Sequence, residues 1–406
     1  MKLFYGWRMV GAGGLIQFIH AGLLMQAFGA YVAVLSEDRG WSKTALSAGA
    51  ALQSLEGALI GPLVGWVMDR FGARAMVQAG IVLFGLGFIV LSQVDTLAGF
   101  YGAIVLLALG TSLSGYFPLT VTLVHWFRRM RARALSTMGL GLALGGVAVP
   151  AVAWAMQTYG WRATAFASGV IAIVCGLPLA RVLRRHPSDI GETEDGLPPQ
   201  AAPVEGNPPA PPPQREFTAA EALRTRAFWL LALGHGFALL VVTAVNVHAI
   251  SHMKEGLGYS VAQASLVITL MTVAQGGGLL FGAAIGDRWD KRYVAAGCML
   301  AHAVGLLMLT YAVHPVMLGA FALLHGAAWG LRGPFMQAMR ADYFGLQAIG
   351  MIMGLSAFII SIGQVAGPMV AGAFADASGH YRGGFTLLAL IAGSGSLLFL
   401  MAKKPV

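Results

Sequence analysis

The sequence predicts an all-α membrane protein of twelve transmembrane helices, folded as two pseudo-symmetric six-helix bundles. Three observations predict it. The 406 residues are 57% hydrophobic and only 11% charged, against about a quarter charged in soluble domains. Apolar stretches of roughly 20 residues, enough to cross a hydrocarbon core about 30 Å thick, follow one another along almost the whole chain. Three separated features also recur in the second half at one constant offset: Gly40-Trp41-Ser42 as Gly258-Tyr259-Ser260, Asp69-Arg70 as Asp287-Arg288, and Gly145 with Pro150 as Gly363 with Pro368. Helices rather than a barrel are expected because each helix satisfies its own backbone hydrogen bonds in lipid, and a barrel would show short alternating segments.

The first span, 7–35, follows Lys2 and Arg8. It is too long for the apolar core of a signal peptide and is read as a retained helix. The second, 42–68, opens after Gly40-Trp41-Ser42 and stops at Asp69-Arg70. Spans 72–92, 96–127, 132–157 and 161–183 follow, the fourth ending at the basic run Arg128, Arg129, Arg131 and Arg133. The next segment holds nine prolines between Pro187 and Pro213, with the run PPAPPP, and reads as a spacer unable to build a core. The second half repeats the pattern as 227–252, 260–286, 292–312, 315–340, 346–375 and 381–401. The expected division is therefore an N-terminal bundle at 1–185, a proline-rich linker at 186–220 and a C-terminal bundle at 221–406. Cys175 and Cys298 fall in separate spans and give no zinc or disulfide spacing.

The net charge of +9 does not point to nucleic acid, because the basic residues lie in short loops between spans. They report orientation instead. With both termini in the cytoplasm, 20 of the 26 Lys and Arg lie there; five lie outside (Arg39, Lys43, Arg162, Lys254, Arg382), and the last is Arg332, inside a span. A multi-pass protein of the cell (inner) membrane is expected, working as a monomer.

GWVMDRFGAR, residues 65 to 74, resembles the G-x-x-x-D-R-x-G-x-R loop signature of the major facilitator superfamily, with a degenerate copy at Asp287-Arg288. Gly6-Trp7, Phe28-Gly29, Gly40-Trp41-Ser42 and HWFRRMRARAL at 125–135 resemble its monocarboxylate and oxalate/formate transporter branch. The resemblance implies the major facilitator fold, transport by alternating access between two halves, and a conformational latch built from Asp69, Arg70, Arg74, Asp287 and Arg288, in which acids meet arginines or a helix terminus. It departs from the branch at one place. Monocarboxylate carriers usually hold an arginine near position 279 and often an acid one turn earlier, where this chain has Leu279 and Gln275; the lysine some members carry in the first helix is also missing.

Arg332, in WGLRGPFM, is the residue that asks for a role. A charge at the bilayer centre costs about 2.5–3.5 kcal/mol on insertion scales, so it faces a wet cavity or a partner. His325, Trp329, Arg332 and Met336 share one helical face. A guanidinium there suits a carboxylate, two N–H donors meeting two oxygens. The competing roles are capping of carbonyls freed by a helix break at Gly333-Pro334, or pairing with Glu56. Glu56 lies about 20 Å of helical rise from Asp69; buried without a partner it would hold a proton, which makes it the proton-coupling candidate. Tyr116, Asn246, Gln275, His20 and Trp329 complete the substrate-binding candidates, with helix–helix hydrogen bonding as their competing role.

The expected function is secondary transport of a small organic anion, a mono- or dicarboxylate, coupled to protons or by exchange. An exporter of hydrophobic or amphipathic compounds and a non-transporting sensor of the same fold are the alternatives. No nucleophile–base set, metal, nucleotide or haem motif is present, so neither an enzyme nor a cofactor is expected.

Overall fold

A computed structural model describes residues 4–196 and 215–405; the PPAPPP run of the expected linker lies outside the described residues. The first bundle holds six helices. α1 runs as Tyr5–His20, a π turn at Ala21–Met25, and Phe28–Arg39. It is followed by α2 (Lys43–Phe71), α3 (Ala73–Leu91), α4 (Leu97–Ser114, then Tyr116–Trp126 after a break at Gly115), α5 (Arg131–Leu144, a 3-10 turn, then Val149–Tyr159) and α6 (Trp161–Val182). The second bundle holds α7 (Arg226–Ser251), α8 (Val261–Ile285), α9 (Lys291–Thr310), α10 (Pro315–Phe344), α11 (Ile349–Ser378) and α12 (Arg382–Met401). Ten of these have the length and hydropathy of a membrane span. The others, α2 and α10, are 29 and 30 residues long, and α10 carries two arginines that lower its hydropathy.

The helix starts follow from local chemistry. The hydroxyl of Ser42 accepts from Ala45 N and that of Thr96 from Gly99 N, while Ser260 and Gln263 cap each other's backbone N–H groups at the start of α8. Each partner satisfies a donor the helix leaves free. Packing within a bundle depends on bare backbone. A Cβ on Gly145 of α5 would meet Ala21 and Gly22 of α1, and one on Gly363 of α11, its counterpart in the repeat, would meet the Gly236 carbonyl of α7. The same helix pair therefore closes on itself in both halves.

Two observations differ from the sequence expectation. Pro334 does not break α10, which runs unbroken past it, so Arg332 caps no freed carbonyls at a helix break. The same helix continues to Phe344, which brings Arg340 inside the bundle rather than into a loop: its side chain is 1% exposed.

The bundles meet along α2 with α11 and α5 with α8. At the end carrying the 128–130 and 345–348 loops, below called the basic end, the segments flanking the linker are tied down. Asp195 accepts from Arg128 N and Arg129 N, and Glu216 accepts from Leu346 N and Gln347 N. At the opposite end Asp95 binds both Arg39 and Arg162, at 2.7 and 2.6 Å.

Candidate functional site

Two regions gather polar groups. The first joins the bundles at the basic end. The Asp69 carboxylate, at the end of α2, accepts from Gly350 N and Met351 N, both at 2.9 Å, so it caps the start of α11, where the helix dipole and free N–H groups favour an anion. Asp287, just past α8, accepts from Ala132 N at 3.0 Å and Arg133 N at 3.4 Å at the start of α5. Both aspartates thus cross from one bundle to a helix N-terminus of the other. A Cβ at Gly65, one turn before Asp69, would strike the Gly350 carbonyl, so only glycine allows this approach.

The arginines expected beside them lie elsewhere. Arg70 stacks over Trp66 and Phe71 at 5.5 and 5.4 Å, Arg74 and Arg288 are exposed, and none of the three makes an ion pair among the described residues. Other residues supply the cations. Lys291 pairs with Asp287 at 2.8 Å and with Asp342 at 2.9 Å, Asp342 also receives Arg131 at 2.6 Å, and Arg185 donates to the Asp69 carbonyl. The motif pair Asp-Arg suggested its own neighbours; Lys291 instead follows Asp287 by four residues, and Arg131, Asp342 and Arg185 reach the cluster from distant parts of the chain.

The second region lies midway along the helices. Arg332 on α10 is 1% exposed. One of its N–H groups points at Met336 Sδ, 3.4 Å away, and its Nε has no partner. Tyr116 of α4 and Leu331, the neighbour of Arg332, pack against the buried cluster that contains Cys298 of α9. Arg340, two turns further on, is held by neutral acceptors: the Met336 and Leu231 carbonyls, Gln337 Oε1 and His235 Nδ1, all at 3.3–3.4 Å. No carboxylate lies within 4.0 Å of either guanidinium among the described residues. Two arginines in one helix, both buried, lack a counter-charge.

Glu56 does not pair with Arg332. Its Oε2 accepts from Ser112 at 2.9 Å within the first bundle and its Oε1 has no partner. His20, buried on α1, lies 3.4 Å from Ser114 and packs on Phe84. Tyr116 opens the second segment of α4, directly after the break at Gly115. Gln275 of α8 sits where its backbone carbonyl closes on Gly330 of α10, and Trp329 is half-buried against the second bundle's core. Asn246 is exposed on α7, whereas His235 of the same helix is buried against Arg340.

The comparisons match this architecture. The Major Facilitator Superfamily model matches residues 14–248 and 231–406. The chain belongs to the major facilitator superfamily. Within it, the chain is similar to human monocarboxylate transporter 11, at 27% identity over 98% of this chain and 82% of the relative. In structure it is similar to the human organic anion transporter MFSD10, with a TM-score of 0.71 at 16% identity over 97% and 99% of the two chains. It is equally similar to the E. coli fucose:proton symporter FucP, with a TM-score of 0.72 at 15% identity over 99% and 100%. Superfamily membership makes the protein a multi-pass transporter of a small molecule.

For this superfamily member, sequence reasoning missed Arg340, His302, Arg131, Lys291 and Asp342. One signal for Arg340 was present: α4 ends at Trp126, and the constant offset of the repeat carries that end to Phe344, past Arg340. Lys291 stands four residues after the motif acid Asp287; Arg131 and Asp342 had no comparable signal, since 211 residues separate them.

Proposed function

We propose that this transporter carries a small organic anion, a mono- or dicarboxylate, by alternating access, and that the Arg332 guanidinium is its contact with the cargo. The observation that carries the reading is the isolation of Arg332: a buried cation whose donors meet a thioether or nothing, and no carboxylate. Leaving an ionised group buried and unpaired is strongly unfavourable, several kcal/mol in measured cases, and an anionic cargo removes that cost when it binds. A carboxylate also matches the guanidinium's paired donors. The names of monocarboxylate transporter 11 and the organic anion transporter MFSD10 support an anionic cargo. The fucose symporter shares the fold as closely, so the fold does not choose the cargo; the arginine does.

In this reading Tyr116 stands beside the cargo from the first bundle and Gln275 and Trp329 flank it from the second. The Asp69 and Asp287 contacts hold the basic end closed until the bundles rock, and transport is linked to a proton or to exchange. The basic end faces the cytoplasm by its charge, in a cell membrane, with the proline-rich segment as a spacer between bundles.

The test is the thermal stability of the purified protein against a panel of organic acids and matched neutral amides, with Arg332→Ala and Arg332→Lys alongside. A ligand binding only the folded state adds about 2.7 kcal/mol of stability at a hundredfold excess over its dissociation constant. The expected result is stabilisation by particular carboxylates, abolished in Arg332→Ala and reduced in Arg332→Lys. Equal responses of wild type and Arg332→Ala to every acid overturn the reading.

A further inference from the structure

The C-terminal bundle holds a buried pair of histidines that the anion contact does not use. His302 of α9 and His325 of α10 are both 0% exposed, and their Nδ1 atoms lie 3.1 Å apart with ring centroids at 4.5 Å. Two imidazoles can make an Nδ1···Nδ1 hydrogen bond in only one way. One ring carries its proton on Nδ1 and donates it; the other accepts there and carries its own proton on Nε2. Neither Nε2 has a hydrogen-bond partner among the described residues. One Nε2 is therefore a buried N–H without an acceptor, and the other, on the donating ring, is a free lone pair.

We propose that the His302–His325 pair is the proton-binding site of the transport cycle, taking one proton when an anion binds at Arg332. The inference rests on the anion reading above. The added proton goes to the free Nε2 of the donating ring, and the pair becomes an imidazolium–imidazole that keeps its Nδ1–H···Nδ1 bond. The charge that governs this step is Arg332. His325 and Arg332 are seven residues apart on one face of α10, about 10 Å of rise, and His302 is joined to His325 by the Nδ1 contact. While that guanidinium is uncompensated, a second positive charge nearby is opposed; a bound carboxylate cancels it and lets the proton in.

Titratable and charged groups on the neighbouring elements are few. α9 itself adds Cys298, with Lys291, Arg292 and Tyr293 at its start, and α7 adds His235, with Arg226 and His248 towards its ends. α8 has none, and α12 has only Arg382 at its far end. On α10 the remaining cation is Arg340, which already contacts His235. The acids at the basic end are taken: Asp290 pairs with Arg292, and Asp342 with Arg131 and Lys291. Among the described residues nothing else packed against the pair offers a counter-charge, so the cargo itself must supply it. Glu56, in the other bundle on Ser112, has no such link to Arg332.

The test is calorimetric binding of oxalate and of L-lactate to the detergent-purified full chain at pH 7, in phosphate and in Tris buffer. The difference in apparent heat gives the protons taken up per anion. The expected result is uptake of about one proton per anion in wild type and in Glu56→Gln, and near zero in His302→Gln and His325→Gln, with binding retained in all. Binding with proton uptake unchanged in both histidine variants overturns this inference and leaves the anion reading standing. No Arg332-dependent binding of either acid, or of any acid in the stability panel, overturns both. If the glutamine variants fail to fold, nitrogen-15 spectra of histidine-labelled wild type read the same step. An imidazolium signal that appears on adding the anion supports the pair, and a histidine spectrum unchanged by a bound anion overturns it.

Discussion

Asp69 and Asp287 occupy equivalent positions in the two halves, and each accepts from the two backbone N–H groups that open a helix of the opposite bundle: Gly350 and Met351 for one, Ala132 and Arg133 for the other. Those donors are themselves equivalent under the same offset. The straps beside them repeat too, Asp195 on the loop at 128 and 129, Glu216 on the loop at 346 and 347. Midway along the helices the buried polar residues do not repeat. The counterpart of Arg332 in the first bundle is Ser114, that of Arg340 is Thr122, and those of His302 and His325 are Phe84 and Leu107. A motion that rocks two like bundles about a shared axis needs matching contacts at the rim of both. For the proposed cargo a site is needed only once, and the two buried cations of that middle region, Arg332 and Arg340, both lie on α10.

The comparison is broken most severely at its asymmetric centre. Arg332→Ala is expected to lower anion uptake into proteoliposomes at least about a hundredfold, the scale of losing a charge-assisted contact of about 3 kcal/mol. Ser114→Ala, at the equivalent position, should change it less than about threefold. Comparable losses in both would mean that the arginine acts only through packing.

The next largest effect concerns the rim. Gly65→Val drives a side chain into the Gly350 carbonyl and should hold the basic end open. The readout is labelling of a cysteine placed at Thr122, in a protein already lacking Cys175 and Cys298; faster labelling is the expected outcome. At the counterpart of Gly65 stands Ala283, which already carries a Cβ, so Ala283→Val is expected to be milder. Equal labelling rates in the two variants would show that α5 and α8 approach as closely as α2 and α11.

Asp69→Asn and Asp287→Asn weaken equivalent caps by about 1–2 kcal/mol each. Asp287 also binds Lys291, so its replacement should lower the melting temperature more, unless Asp342 alone holds the lysine. Lys291→Met in the Asp287→Asn background separates the two contributions: a further fall shows that Lys291 still serves through Asp342.

The smallest effect belongs to the straps. Asp195→Asn and Glu216→Gln each keep an oxygen acceptor for the loop N–H groups, and a stability loss of under about 1 kcal/mol is expected, read as a shift in melting temperature. Matching shifts would extend the rim's repeat to the linker ends. A large shift at one position only would show that the straps, unlike the aspartates, have diverged.

The span pattern, the helix-pair repeat and the acids of the rim were legible in the sequence, and so was the anomaly of Arg332. The partners of those residues were not. Arg70, Arg74 and Arg288 follow or neighbour the motif acids but turn to aromatic faces or outward, while Arg131, Lys291 and Asp342 come together from α5, α9 and α10. Glu56 and Arg332 looked like each other's only match by charge, yet they sit in different bundles, with Ser112 beside the carboxylate.

By itself the sequence determined the fold class and the duplication. In lipid every backbone polar group must be satisfied inside the protein, and a continuous apolar stretch of sufficient length, without the short alternation of barrel strands, does this as a helix, so a repeated stretch repeats the bundle. Only the tertiary structure decided which side chains share the interior. That Arg332 is left with a thioether, and that His302 meets His325, depends on how α7, α9 and α10 turn their faces toward one another. Those rotations are set by glycine contacts and packing spread over the whole bundle, and no local run of residues encodes them.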